Sequence, residues 1–245
     1  VQTCALPIFG VDGLQGAAPV VADPMAPTAA ELRRLAIYNN YRALVDVTKS
    51  GGFNTLYAPS KVAGSEHVAY ADGGDGSQNV TLMVQIPSSF DPQRACIVTG
   101  TSSGSRGVYG AIGTSGYWGL SHGCAVAYSD KGTGNGVHDL AGDQVLRADG
   151  TLARAAAAGR DAAFRAADHP ARAAYLRGHA NAVAMKHAHS QQNPERDWGR
   201  DTLRSIEFAF YVLNQRFGPE IGGGLHTRSL RPDNTLVLAA GVSNG

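Results

Sequence analysis

Thr235-Leu236-Val237-Leu238-Ala239-Ala240 runs straight into Gly241-Val242-Ser243-Asn244-Gly245. The first six residues carry no charge and are mostly apolar, as in a strand buried on both faces of a parallel sheet. A strand that ends in Gly-x-Ser-x-Gly has the pattern of a nucleophile elbow. Its glycines allow a sharp strand-to-helix turn, and the serine hydroxyl is pushed out above the sheet edge. This stretch sets the expected fold class: α/β, an α/β-hydrolase-like and mostly parallel sheet. The helix that should follow Ser243 lies past the last residue, so the chain reads as the N-terminal part of a catalytic domain, truncated at its C-terminus.

Working back from Ser243, a helix is expected from Trp198 to Phe217, capped by Asp197, with Leu203, Ile206, Phe210 and Leu213 as its inner stripe. Before it, residues 139–197 read as a helical insertion rich in Ala, Arg and His, with two or three helices between 151 and 190. Further back come the strand Cys124–Tyr128, a helix over 108–120 interrupted by four glycines, the loop 99–107, and the strand Ala95–Val98. This alternation predicts right-handed crossovers between parallel strands. Phe53–Ala58, His67–Ala71 and Val80–Ile86 read as an antiparallel lead-in to the sheet. Thr28 and Glu31 form a capping box for a helix running to about Val47. Residues 1–8 lack a starting Met and read as a possible non-native scar; residues 9–245 are assigned to the catalytic domain.

A serine hydroxyl is a poor nucleophile until a histidine takes its proton and a carboxylate orients that histidine. In α/β-hydrolases the chain order is serine, acid, histidine. With Ser243 as nucleophile, both partners fall beyond Gly245, none of the eight histidines present is the base, and the fragment alone is expected to be inactive. A second match, Gly100-Thr101-Ser102-Ser103-Gly104, also follows a strand. Its position after the third strand and before the first helix of the crossover unit suits an oxyanion loop better than a nucleophile. The oxyanion donors are accordingly expected to be backbone N–H groups at Thr101, Ser102 and Asn244. Arg106 and Lys131, in loops at the carboxyl edge of the sheet, are candidates for binding a substrate carboxylate, against the plainer reading of loop ion pairs.

Rival readings are weaker. The loop after Val98, with Asp130 downstream, could open a nicotinamide-dinucleotide Rossmann unit. Arg106 stands where close backbone approach wants glycine, and the one Tyr-x-x-x-Lys, Tyr57 to Lys61, precedes the loop. A non-catalytic α/β binding domain is the other alternative. The Asp72–Gly76 cluster lacks the alternating carboxylates of a calcium loop and reads as a turn. His179, His187 and His189 do not have the spacing of metal ligands, so neither a metal nor a cofactor is expected. Net charge is +1, with no sustained basic run for nucleic acid and no apolar stretch long enough to span a membrane. Cys96 and Cys124 are expected as free thiols in the core, because three cysteines in a chain this long do not make a disulfide framework.

Longer strings carry a resemblance. Thr28-Ala29-Ala30-Glu31-Leu32-Arg33-Arg34-Leu35-Ala36-Ile37-Tyr38, residues 102–113, Tyr128-Ser129-Asp130-Lys131-Gly132-Thr133-Gly134, residues 187–199 and Val242-Ser243-Asn244-Gly245 resemble the D-(−)-3-hydroxybutyrate oligomer hydrolases. The resemblance runs from about residue 10 to the end. It implies a serine esterase of bacterial poly(3-hydroxybutyrate) degradation that cuts short oligomers to monomers, without a cofactor. Ser243 matches the charge-relay serine of that family. A secreted protein is implied, with the cytoplasm as the alternative.

Overall fold

The computed structural model describes residues 2–5, 11–42, 61–72, 79–103, 107–130, 136–241 and 243. Its main sheet has six strands in the spatial order β1 (Gln2–Ala5), β2 (Ala63–Ala71), β3 (Val80–Pro87), β5 (Ala125–Ser129), β4 (Cys96–Thr101) and β12 (Leu236–Leu238). Three of its pairings are antiparallel, β1–β2, β2–β3 and β3–β5; only β5–β4 and β4–β12 are parallel. The expectation of a mostly parallel sheet is therefore corrected. Of the antiparallel pairs only β2–β3 is joined by a short connection. β1 and β2 are separated by residues 6–62, which include the helix Ala29–Arg42, and β3 and β5 by β4 and the helical crossover that follows it. Both parallel pairs are joined through a helical crossover. The expected strand at Phe53–Ala58 and the helix extension to Val47 lie outside the described residues.

Alternation along the central strands sends side chains to two cores. Met83, Val98, Val126 and Tyr128 face a cluster made with Ile37, Tyr38 and Tyr41 of α2 (Ala29–Arg42) and with Ile112 and Leu120 of the first crossover. Val84, Ile97, Ala125 and Ala127 face Ala209, Val212 and Leu213 of α6 (Trp198–Phe217) on the opposite side. Both faces are covered, which is why these strands read as continuous apolar runs. The capping box at Thr28 is present: Glu31 accepts from the Thr28 N–H at 2.9 Å and donates its own N–H to Thr28 Oγ1 at 3.3 Å.

The two crossovers differ from expectation in instructive ways. The first is a 3-10 turn (Val108–Ala111), a π-helical turn (Ile112–Gly116) and the short helix α3 (Tyr117–Ser121). Its glycines permit contact: a Cβ on Gly119 would lie 2.8 Å from Val126 Cγ2, and one on Gly116 would collide with the Tyr128 hydroxyl. In the second, α6 keeps its predicted span, but Leu203 is 61% exposed while Ser205 and Ala209 are buried. Leu213 of the expected stripe is fully buried against the sheet and Phe210 packs beside it, while the small Ser205 and Ala209 let the helix lie close over Ala125 and Ala127. Asp197 sits at the helix start without capping it and pairs instead with Arg196 and Arg200.

The inserted region is not mainly helical. It forms a second, antiparallel sheet in the order β8 (Leu152–Arg154), β7 (Gln144–Leu146), β6 (Val137–Asp139) and β9 (Val183–Met185). Its only described α-helical pieces are α4 (Ala155–Ala158) and α5 (Arg172–Leu176). Three-residue strands are too short to print a period of two on the sequence, and their Ala and Arg content imitates helix.

Cys96 and Cys124 are joined by a disulfide, which overturns the reading of two free thiols. They stand side by side just before the paired residues Ile97 and Ala125 of two neighbouring parallel strands, with their Cα atoms 4.8 Å apart. Two cysteines in register on adjacent strands suffice for a single bridge; no framework is required. On the other side of β4, Thr99 Oγ1 donates to Ala240 O at 3.0 Å and accepts from Ala240 N at 2.8 Å.

Two outcomes are expected for the full-length protein. Replacing Cys96 and Cys124 by Ser opens a cross-link spanning 28 positions, and urea unfolding should show a loss of about 3 kcal/mol. Thr99→Val keeps the shape but leaves the Ala240 N–H and C=O without the hydroxyl in a partly buried place. It should cost about 1–3 kcal/mol in the same assay, and an unchanged midpoint would show that water or another group replaces the hydroxyl.

Candidate active site

The carboxyl ends of β4, β5 and β12 meet at one edge of the sheet, where open α/β sheets bind their ligands. Beyond β12, Gly241 forms a parallel bridge with Thr101 at the end of β4. Ser243 follows at φ 61° and is exposed. Among the described residues only Asp143, Gln191 and Ser243 are non-glycine residues in the left-handed region. β12 is the edge strand of the sheet, with Leu236 59% exposed, which corrects the expectation of a strand buried on both faces. A non-glycine residue at positive φ just after it is strained, as the serine of a sharp turn that projects its hydroxyl would be.

The structure brings Thr101 and Ser102 alongside this turn. Thr101 pairs with Gly241 across β4–β12, and its hydroxyl lies 3.5 Å from that of Thr202 on α6. The Ser102 N–H donates to Ser129 O at 2.9 Å, so it is engaged within the sheet. The next N–H of the loop belongs to Ser103. Asn244, Arg106 and Lys131 lie outside the described residues. Ser102 itself, the rival nucleophile, is fully buried, and a buried hydroxyl is a poor place for an incoming ester.

Several charged groups that composition did not single out are buried at the same edge. Lys186, beyond β9, is 7% exposed and donates from Nζ to the Asn79 carbonyl at the start of β3. Its burial pushes the ammonium pKa down, while Asp130 and Asp201 oppose the shift. Asp201, on the first turn of α6, is pushed up by burial, with Arg204 opposing. Asp130 is 4% exposed and feels both Lys186 and Asp201. The dinucleotide reading needs this carboxylate free to meet a ribose; instead it is enclosed. These groups came from separate stretches of sequence, and only their spacing in the fold relates them.

His138 is fully buried beside Asp143, Nε2 to Oδ1 at 3.1 Å, an arrangement that superficially suggests a base and its orienting acid. Its Nδ1 accepts from the Ala166 N–H at 3.2 Å, and Arg172 also reaches Asp143 at 3.3 Å. Both ring nitrogens are occupied in holding the inserted sheet together, so His138 is a structural residue. His187 and His189 pack edge to face, and no group of three metal-ligating side chains occurs among the described residues. No described helix is long and apolar enough to cross a membrane.

A cavity of about 640 Å³ lies between α2, the face of β2–β3 and the turn Leu146–Gly150. Its floor is a buried network: Arg33 donates to both oxygens of Glu66 at 2.8 and 2.9 Å, and Tyr109 Oη and Gln85 Nε2 each donate to Glu66 at 2.8 Å. Tyr128 Oη donates to Gln85 Oε1 at 2.7 Å. Burial alone would raise the Glu66 carboxyl pKa, but these bonds, chiefly that of Arg33, bring it below its ordinary value of 4.5. A depressed carboxylate stabilises the fold above its unfolded pKa and loses that contribution as pH falls through the folded value. Arg33→Met should therefore cost about 3–5 kcal/mol at neutral pH by leaving the carboxylate unpaired. The difference from wild type should narrow below pH 4.5, when urea unfolding is repeated in acid. A constant difference across pH would mean that Arg33 acts through packing alone.

Comparison with known proteins adds the following. The family described as 3HB-oligomer hydrolase (3HBOH) matches residues 7–245. A protein of Polaromonas naphthalenivorans named D-(-)-3-hydroxybutyrate oligomer hydrolase is 55% identical over 97% of this chain and 36% of its own length. Proteins of the same name from Albidiferax ferrireducens and Burkholderia thailandensis are 55% and 54% identical, over 97% and 93% of this chain and 36% and 34% of their own lengths. The chain thus spans about a third of the length of these relatives. No solved structure matches it significantly. The chain belongs to the 3HB-oligomer hydrolase family.

Proposed function

We propose that the protein to which this chain belongs is a serine ester hydrolase that cleaves 3-hydroxybutyrate oligomers through an acyl-enzyme on Ser243. The observation that carries this reading is the backbone of Ser243, at φ 61° just beyond a parallel strand whose neighbour delivers a glycine- and serine-rich loop to the same edge. The names of the relatives support the substrate. The succession of an antiparallel lead-in, two parallel strands flanking β4 and helices on both faces supports an α/β-hydrolase-like domain, with the inserted sheet as an elaboration of it.

In this mechanism Ser243 Oγ attacks the ester carbonyl as a histidine takes its proton. The carbonyl oxygen becomes an oxyanion held by backbone N–H groups of Asn244 and of the loop after Thr101. Because the Ser102 N–H is engaged with Ser129, the loop's contribution moves to Ser103. Removing one such donor typically costs ~10²–10³ in rate. The C–O bond then breaks, and the departing alkoxide oxygen takes the proton from the histidine and leaves as a hydroxyl. Water, deprotonated by the same histidine, releases the acyl part. The acid and histidine follow Ser243 in chain order in hydrolases of this kind, so the chain by itself is expected to be inactive. The Cys96–Cys124 disulfide favours an oxidising compartment and hence a secreted protein. Nothing observed favours dinucleotide chemistry.

The test is release of 3-hydroxybutyrate from its dimer and trimer by the full-length protein. Ser243→Ala should lower kcat by about 10⁴-fold or more with unchanged folding. Equal release by wild type and variant would remove Ser243 as nucleophile. No release by wild type, with turnover of other esters, would withdraw the substrate and keep the mechanism.

A further inference from the structure

The cavity beside Glu66 has no part in the chemistry at Ser243, yet it is joined to that site by the backbone. The loop that leaves β4 at Ser102 comes back to the described structure at Gly107, and Gly107, Val108 and Tyr109 line the cavity. Ser102 N–H donates to Ser129 O, and the next residue, Asp130, donates to Thr81 O; Asp130 and Thr81 also line it. Along the sheet, three neighbour steps separate β12 from β3, and a fourth reaches β2, which supplies Val68. At the ordinary strand spacing these steps place the cavity ~14–19 Å from the line of the elbow.

The chemistry of the lining narrows the occupant. Leu32, Ala36, Val68 and Val108 give aliphatic walls, and Asn39 and Arg147 supply donors at the rim. The lining holds the guanidiniums of Arg33 and Arg147 and the carboxylates of Glu66, Asp130 and Asp149. Carboxylates outnumber cations, so a free carboxylate end is disfavoured, whereas a neutral chain of methyl-bearing esters fits both the walls and the donors. Length also fits. A 3-hydroxybutyrate repeat contributes four chain atoms, and a fully extended polypeptide spans ~3.3–3.6 Å over three. Scaling gives ~4.4–4.8 Å per ester repeat, nearly one repeat per strand.

Resting on the proposed esterase activity, we propose that this cavity is a distal subsite that binds the hydroxyl-terminated, neutral acyl side of the oligomer three to four repeats from the ester attacked by Ser243. A dimer, with one repeat on each side of the ester, does not reach it. Tetramers and longer oligomers with enough repeats on the acyl side do. The subsite makes the enzyme select chain length by binding, not by chemistry.

The experiment compares kcat/KM of the full-length protein on dimer and on oligomers of four to six units, for wild type, Val68→Trp and Ala36→Trp. The two substitutions fill the cavity from opposite walls, one on a strand and one on a helix. Both should lower the long-oligomer to dimer ratio of kcat/KM by about tenfold or more, the scale on which a hydrophobic pocket discriminates, through KM and with kcat held. Methylating the free carboxylate of the oligomer should leave the wild-type preference intact. An unchanged ratio in both variants, or a preference abolished by methylation, overturns the subsite while leaving the esterase reading in place. Failure of wild type to cleave any hydroxybutyrate oligomer withdraws the oligomer as substrate, and the subsite with it. If the variants fold poorly, binding of non-cleaved pentamer to Ser243→Ala serves instead: affinity no tighter than for dimer overturns the subsite.

Discussion

Strand β4 holds its neighbours by two different means, and the geometry of the edge depends on both. On one side the Cys96–Cys124 bridge closes the base of the β4–β5 pair. On the other, the Thr99 hydroxyl both donates to and accepts from the backbone of Ala240. The second contact joins residues 141 positions apart, so its loop-closure cost has to be offset by contacts formed late and far along the chain. A hydroxyl is well suited here because one atom can satisfy an N–H and a C=O together. Valine would fill the same space and satisfy neither. The register that follows, Leu236 against Cys96 through to Gly241 against Thr101, sets the height at which Ser243 emerges relative to the loop after Ser102. A shift of one residue would turn every side chain of β12 to the opposite face.

Buried charge is used in two contrasting ways. Glu66 is fully engaged: a bidentate guanidinium, a phenol and an amide satisfy it, and its pKa falls despite burial. Lys186, Asp130 and Asp201 are enclosed at the carboxyl edge with shifts dominated by desolvation for Lys186 and Asp201. Lys186 reaches from the inserted sheet to the Asn79 carbonyl, and Asn79 in turn donates through Nδ2 to Arg160 O and Ala162 O at 2.7 Å. The insertion is thereby tied to the start of β3 through backbone acceptors, which place a segment without requiring a matching side chain. Such ties suit a small sheet whose own apolar core is limited to a few residues around Val145 and Ala162.

What was legible in the sequence follows from how far each signal reaches. The buried strands at Ala95–Val98, Cys124–Tyr128 and Val80–Ile86 and the helix 198–217 were visible because each writes its own period over enough residues. Ser243 was visible because a turn motif is local. The antiparallel direction of β2 and β3 could be read from the short connection between them. The overall balance of parallel and antiparallel pairs could not, since it depends on which strand β5 meets on its far side. The disulfide was missed because two cysteines 28 positions apart give no hint that their strands are neighbours in register. The inserted sheet was missed because its strands are three residues long. The Glu66 network was invisible for the same reason as the disulfide: Arg33, Glu66, Gln85 and Tyr109 carry no shared motif and meet only after α2 packs on β2 and β3.

The two halves of the main sheet therefore divide the work. The parallel half, β5–β4–β12, can form only when distant segments are brought together, and it delivers loops to one edge, as chemistry at that edge requires. In the antiparallel half, β1–β2–β3, the strands β2 and β3 are close in sequence, while β1 precedes α2. This half leaves one face free for α2 to cover in part, and the uncovered part is the cavity. β5 belongs to both halves, pairing antiparallel with β3 and parallel with β4. Ser129 and Asp130 at its end bond to Ser102 on one side and Thr81 on the other. Any displacement of this strand end would move the loop beside Ser243 and the lining of the cavity together. On the proposed reading, a reacting ester and the remainder of its chain are in this way referred to a single backbone segment, and chain length is registered against Ser243 without a moving part.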